Sequence, residues 1–355
     1  MSTQLEALEK ASGAVFAPFT DRVLPARFAT LLDEWAAVRQ RCGLLDAGFR
    51  GLLRLSGSDR STFLQGMISN DVARLKEGAG TYAALLTQQG KIVSDLRAYV
   101  LPDELWIDVP AACTTAVRAN LERYIIADDV EFNPDESWAP LIAVEGPQAD
   151  RVLVAVLGES VTDLQPFAHR ELTFDGATIR AVAATHTGER GYLLYGERAA
   201  GARLWERCRT AGAEPVGMEA LNVLRVEAGI PWHGRDFDDS TLISEVGLET
   251  AISYKKGCYL GQEVVERVAA RGQVHHKLVG LVCDRQHAPP PETKLLRDGK
   301  EVGWITSAVW SPARQTVIAL GYARRACWDE GAEMHIGAAE NGGVARVVAL
   351  PFYAA

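Results

Sequence analysis

The residues most able to do chemistry stand together in Lys255-Lys256-Gly257-Cys258-Tyr259-Leu260-Gly261-Gln262-Glu263-Val264-Val265-Glu266-Arg267. Two lysines precede a cysteine and a tyrosine bracketed by glycines, and a run of helical composition follows. Gly257 and Gly261 permit backbone angles or close approaches that a Cβ blocks. A helix opening at Gln262 presents unpaired amide N–H groups that attract anions. A thiol beside such a terminus and two lysines is expected to be more acidic than a free cysteine, which makes Cys258 a candidate catalytic thiol. The competing reading is a small buried apolar residue. Glu263 and Arg267, four apart, are expected to form a surface ion pair worth roughly a few tenths of a kcal/mol.

Two carboxylates stand out elsewhere. On a helical wheel over 218–229, Val223, Ala220, Leu224, Ala228 and Leu221 form one arc, and Glu227 falls inside it. A carboxylate on a buried face is costly unless partnered. Its partner is either an arginine such as Arg235 or a ligand with two parallel N–H donors, as a pterin or guanidine offers. The second acid is Asp95. Residues 80–100 read as two strands joined by a tight turn at Gln89-Gly90. Strand alternation puts Val93, Asp95, Arg97 and Tyr99 on one face and Ile92, Ser94, Leu96 and Ala98 on the other. Asp95 beside Arg97 reads equally as an ion pair or as a catalytic acid.

The elements that must position these groups follow from periodicity. Leu31, Leu32, Trp35 and Val38 predict a helix over 28–41, closed at Cys42-Gly43 by a left-handed glycine. A strand at 52–55, a cap at 56–59 and a helix over 60–68 come next. Further strands are expected at 105–109, 130–132, 141–144, 177–184 and 191–195, with helices over 112–125, 148–157 and 199–211. Residues 1–27 carry no clear pattern and are expected to form a mobile or draped segment. After 272 the texture changes to short strands at 278–282, 294–297, 302–310, 316–322 and 344–350, the spacing of a small β-barrel or sandwich.

At 355 residues the chain exceeds what one core usually serves, so two or three domains are expected. With 48% apolar and 23% charged residues it has the composition of an ordinary globular protein. A net charge of -9 argues against general nucleic-acid affinity. No 18-residue apolar run or basic-then-apolar leader is visible, so no membrane span is expected and the cytoplasm is the default location. The six cysteines are scattered without a C-x-x-C pair, which fits neither a disulfide framework, a zinc site nor a resident iron-sulphur cluster. His275-His276 would point to opposite faces of a strand and reads as structural.

Several stretches, in order, resemble one superfamily. They are Cys42-Gly43-Leu44-Leu45-Asp46, Phe63-Leu64-Gln65-Gly66 with Asn70-Asp71-Val72, the 82–96 hairpin, Glu145-Gly146-Pro147-Gln148-Ala149, Thr187-Gly188-Glu189-Arg190-Gly191-Tyr192, Arg225-Val226-Glu227-Ala228-Gly229-Ile230-Pro231, and Val302-Gly303-Trp304-Ile305-Thr306-Ser307 with Gly321-Tyr322. Together they are similar to the tetrahydrofolate-binding superfamily that includes the T-protein (aminomethyltransferase) of the glycine cleavage system. Lys256-Gly257-Cys258-Tyr259-x-Gly261-Gln262-Glu263-x-x-x-Arg267 resembles the signature of its YgfZ branch, folate-binding proteins linked to iron-sulphur cluster maintenance and tRNA modification. True aminomethyltransferases usually show two glycines and two acids where this chain has Gly90-Lys91 and Ser94-Asp95.

The resemblance implies an α+β, three-domain cloverleaf: a first domain from 28–140 and 215–270, a second from 141–214, and a C-terminal β-barrel over 271–355, after the 1–27 segment. It implies a bound tetrahydrofolate or one-carbon derivative, with Glu227 holding the pterin, Tyr82 and Asp95 at the one-carbon end, Lys256 and Arg267 among the binding residues, and Cys258 facing or adjoining the same channel. Three activities remain open: folate-linked support of iron-sulphur assembly and tRNA-modifying client enzymes, an aminomethyltransferase that needs a lipoyl carrier protein or another donor, and a folate-stabilised scaffold for cluster-assembly partners.

Overall fold

The computed structural model describes residues 4–271, 274–337 and 342–353. The chain packs as two compact units. The first comprises Met1–Leu86, Val93–Leu221 and Thr250–Leu260, and the second Thr87–Ile92, Asn222–Glu249 and Gly261–Ala355.

The first unit opens with α1 (Gln4–Ala11) and the hairpin β1 (Val15–Phe19) and β2 (Arg22–Arg27). Where a draped segment was expected, residues 4–27 hold a helix and a hairpin. Its strands are short and carry Pro18 and Pro25, which masked the alternation. Helix α2 (Leu31–Gln40) starts at Thr30, whose hydroxyl accepts from Asp33 N, and ends before Arg41. Gly43 is not the expected left-handed cap. It opens strand β3 (Gly43–Asp46), and a Cβ there would stand 2.4 Å from Val38.

Then follow β4 (Arg50–Ser56), α3 (Arg60–Met67), β5 (Gly80–Leu86), β6 (Ile92–Val100), β7 (Leu105–Pro110), α4 (Thr114–Glu122) and β8 (Glu131–Phe132). The five strands pair in the order β5-β6-β7-β4-β8. The β5–β6 connection turns at Gly90, whose φ of 73° favours glycine. Leu96 and Ala98 enter the core with Leu64, Leu85, Ile107 and Val117, so the opposite face of β6 carries Asp95, Arg97 and Tyr99 as alternation requires.

A second sheet is built from β9 (Trp138–Glu145), β10 (His169–Phe174), β11 (Ala177–Ala183), β12 (Gly191–Glu197) and β13 (Glu214–Pro215), with helices α5 (Ala149–Leu157) and α6 (Gly201–Thr210). Its order is β10-β11-β12-β9-β3-β13, so β3 from the N-terminal part of the chain completes a sheet made mostly from 138–215. Val152, Leu153, Leu204 and Trp205 from the helices pack with Ile142, Val144, Ile179 and Leu194 from the strands.

Helix α7 (Met218–Glu227) begins in the first unit and ends in the second. The second unit continues with α8 (Ile243–Val246) and α9 (Gln262–Arg271), then β14 (His276–Cys283), β15 (Lys294–Arg297), β16 (Lys300–Ser311), β17 (Thr316–Arg324), β18 (Glu333–Ile336) and β19 (Val344–Val348). These six strands close into a barrel in the order β14-β17-β16-β15-β18-β19, filled by Leu281, Leu295, Ile305, Val317, Met334 and Val347. Among the described residues no helix is long and apolar enough to cross a membrane.

Candidate functional site

In the first unit, neighbouring strands bring a chain of buried polar side chains together. The Tyr82 hydroxyl on β5 donates to Asp95 Oδ2 on β6 at 3.1 Å. Burial, with Asp95 beside it, pushes the Tyr82 phenol well above its ordinary value, so it stays a donor. Asp95 Oδ1 is buried and has no hydrogen-bond partner among the described residues. A buried carboxylate oxygen left unpaired is expensive, and a ligand N–H is what would satisfy it.

Arg97 does not pair with Asp95. It faces Asp108 directly across the β6–β7 ladder, and its Nη1 lies 3.4 Å from Asp108 Oδ2. Arg50, at the start of β4, donates from Nε to Asp108 Oδ1 at 2.8 Å and from Nη2 to the Asp108 carbonyl at 3.2 Å. Two guanidinium groups thus share one fully buried carboxylate. Burial works against the charge on Arg50, but Asp108 and then Asp95 outweigh it and hold the guanidinium above its ordinary range.

The network continues through His186. Its Nδ1 lies 2.6 Å from Glu145 Oε1 and its Nε2 lies 3.0 Å from Arg97 Nη1. Arginine only donates, so Nε2 accepts and Nδ1 carries the proton toward Glu145. Burial, then Arg97, lowers the His186 pKa, in keeping with a neutral ring. Glu145 also accepts from His186 N, Thr187 N, Thr187 Oγ1 and Thr185 Oγ1. Burial alone would raise its pKa; His186 and these donors hold it below the ordinary value. The Glu145 and Thr187 motifs therefore meet at one buried carboxylate.

Lys256 lies in the segment Thr250–Leu260 of the same unit. Its Nζ donates to the carbonyls of Gln65 at 2.6 Å, Ile68 at 2.5 Å and Asn70 at 3.0 Å. All three ammonium hydrogens are thereby matched to backbone acceptors at the end of α3. Lys256 is thereby tied to the backbone of α3 and of the turn that follows it. Asn70, to which the sequence assigned no role, donates to the carbonyls of Tyr82 and Thr250 and so ties the same segment to β5. Cys258 is exposed, which removes the buried reading of that thiol. Of its flanking glycines only Gly261, at φ 83°, needs to be glycine for its backbone, and a Cβ on Gly257 would meet open space.

The second unit holds the remaining candidates. Glu227, fully buried at the end of α7, accepts from Ser311 Oγ at 2.5 Å and Ala313 N at 3.2 Å. The buried arginine of this region is Arg225, which pairs with Asp236 and donates to Ser307 Oγ at 2.6 Å, while Thr306 donates to Asp236 Oδ1 at 2.6 Å. Arg267 is exposed on α9. The ion pair expected between it and Glu263 is not formed; on that helix Gln262 Nε2 donates to Glu266 Oε1 at 2.6 Å instead. Arg50, Asp108, Arg225 and Asp236 escaped the sequence reading because their partners lie on other elements.

Residues 5–256 match the GCVT N-terminal domain and residues 276–354 match the glycine cleavage T-protein C-terminal barrel domain. The chain belongs to the glycine cleavage T-protein family. Within that family it is 32% identical to an aminomethyltransferase of Prochlorococcus marinus (strain MIT 9303) over 99% of this chain and 97% of the relative. It is also 32% identical to one from Synechococcus sp. (strain RCC307), over 99% of each. The crystal structure of the glycine cleavage system aminomethyltransferase T from Bartonella henselae superposes with a TM-score of 0.92 at 25% identity, covering 99% of this chain and 98% of that one. The mixed α/β fold with a closed C-terminal barrel is thus the family's fold.

Proposed function

We propose that the chain is a tetrahydrofolate-dependent one-carbon transferase of the aminomethyltransferase type. The observation that carries this reading is Asp95: buried, held through one oxygen by Tyr82, and unpaired at the other. Tetrahydrofolate, when bound, supplies the nitrogen that takes up the one-carbon unit. Asp95 accepts a hydrogen bond from that nitrogen and fixes its orientation, while Tyr82 keeps the carboxylate from rotating away. The contribution is one of position and preorganised charge. Support also comes from relatives named aminomethyltransferase along nearly the whole chain.

The deciding experiment is transfer from an aminomethyl-lipoyl carrier protein to tetrahydrofolate, with folate binding followed in the same sample by tryptophan quenching. Turnover is expected to fall by about a hundredfold or more in Asp95→Asn, with affinity changed much less. Saturable binding without turnover in the parent would remove the transferase reading. Glu227 is proposed to hold the pterin and Arg267 to add to folate affinity; Glu227→Ala and Arg267→Ala with unchanged affinity would end those assignments.

A second reading is favoured by the exposed Cys258 in its long signature: folate-linked support of iron-sulphur enzymes, including tRNA-modifying ones. Here Cys258→Ala is expected to leave folate affinity intact and to fail in restoring iron-sulphur enzyme activity to a deletion strain. Full rescue by the mutant would eliminate the thiol's role.

A further inference from the structure

Helix α1 carries a carboxyl group to a place that gives a charge no support. The helix seats on α6: Leu5 and Leu8 pack against the core that holds Leu204 and Trp205, and a Cβ on Gly201, the first residue of α6, would stand 4.0 Å from Leu5. Glu9 goes in with them. It is 1% exposed, and its Oε1 is buried with no hydrogen-bond partner among the described residues. The cations nearby are bonded elsewhere. Lys10 of α1 donates to Glu6 at 2.6 Å, and Arg209 of α6 donates from Nη1 to Ser12 Oγ at 2.8 Å. Across from α1, Asp46 at the end of β3 acts against a charge on Glu9, as Glu6 does, while Arg22 of β2 acts on Asp46. A buried carboxylate without a partner costs far more than the neutral acid, so a seated α1 holds Glu9 protonated.

We propose that α1 is a latch that takes up one proton, on Glu9, each time it seats, so that rising pH releases the helix while the sheet beneath it stays folded. The hold is modest enough for local release. The helix is eight residues long, Leu5 and Leu8 are only partly buried, and the Arg209–Ser12 bond lies at the surface. A helix this short is marginal alone in water, so release and unwinding go together. Once released, Glu9 meets solvent and ionises near 4.5; seated, burial, then Asp46 and Glu6, holds it protonated up to about 9. A group whose pKa is raised in the seated state favours seating at low pH, and that contribution is lost as pH rises between the two values. One proton separates the states, so each pH unit in that window multiplies the released fraction by about ten.

The test is amide hydrogen exchange of the full chain at about pH 6.5 and about pH 8, each rate being divided by the intrinsic rate at that pH. The amides of Ser12, Gly13 and Ala14, which donate to the carbonyls of Leu8, Lys10 and Glu9, report the latch, and those of β9 and β12 report the sheet. Protection at 12–14 is expected to fall about thirtyfold from the lower pH to the higher, while β9 and β12 keep theirs. Glu9→Gln, which buries a neutral group of the same shape, is expected to hold protection at 12–14 constant over the interval. Constant protection at 12–14 in the parent overturns the latch. So does an equal fall in a folded Glu9→Gln, which would assign the proton to another group. A fall shared by β9 and β12 means that the whole unit opens, and it overturns the latch as well. If Glu9→Gln does not fold, the two comparisons made on the parent still decide.

Discussion

At the level of single residues, the acids were legible and their surroundings were not. Strand alternation alone put Asp95 on the face away from the core, and a helical wheel alone buried Glu227. The partners, however, are Tyr82 one strand over, Ser311 on β16 and Ala313 just after it, contacts that no local period encodes. Glu227→Ala leaves Ser311 and Ala313 N without their acceptor and should cost roughly 2–3 kcal/mol in urea denaturation, Glu227→Gln appreciably less. His169 offers a pH test. Burial, then Arg180, lowers its pKa from 6.5 to about 4, while Arg180 Nη1 lies 3.0 Å from its Nδ1. The fold prefers the neutral ring, so this contribution is complete above about 6.5 and is lost as pH falls toward 4. Over that window the parent should lose roughly 3 kcal/mol more than His169→Asn, measured as the difference in unfolding free energy.

At the level of elements, the hairpin β5–β6 and the barrel strands were readable because Gly90 and the short alternating runs announce them. Helix α1 was not, and it shows why a weak period misleads. Leu5 and Leu8 pack against the α5–α6 core, but the inward face also carries Glu9, only 1% exposed. Burial, then Asp46 and Glu6, pushes Glu9 from 4.5 up to about 9. The fold therefore favours the protonated acid, and its contribution is lost as pH rises from about 4.5 through 9. Glu9→Gln should stabilise the protein by roughly 1–3 kcal/mol near pH 8 and by little near pH 4, a crossing that thermal melts at the two pH values will reveal. Lys256 makes a similar point for α3. Lys256→Met strands three carbonyls and should cost roughly 2–4 kcal/mol, with hydrogen exchange rising first around residues 65–70 and 250–260.

At the level of the whole molecule, two tiers of organisation differ in how far sequence reaches. The texture change after residue 272 marks the barrel, whose six strands are contiguous in the chain. The membership of 222–249 in the barrel's unit is invisible to composition, because it depends on Arg225, Glu227 and Asp236 finding Ser307, Ser311 and Thr306. A fragment ending at 270 keeps those three charged groups and removes every one of these hydroxyl partners. It should be recovered largely aggregated, whereas the full chain sediments as a folded species. The same interlacing sets a timetable during synthesis. The chain leaves the first unit after Leu86, returns at Val93, leaves again after Leu221, returns at Thr250 and departs finally at Gly261. On the ribosome, the buried arginine and acids of 222–249 must wait for strands still untranslated, roughly ten seconds at common elongation rates. For that interval Arg225, Glu227 and Asp236 stand without the hydroxyl partners that only β16 brings.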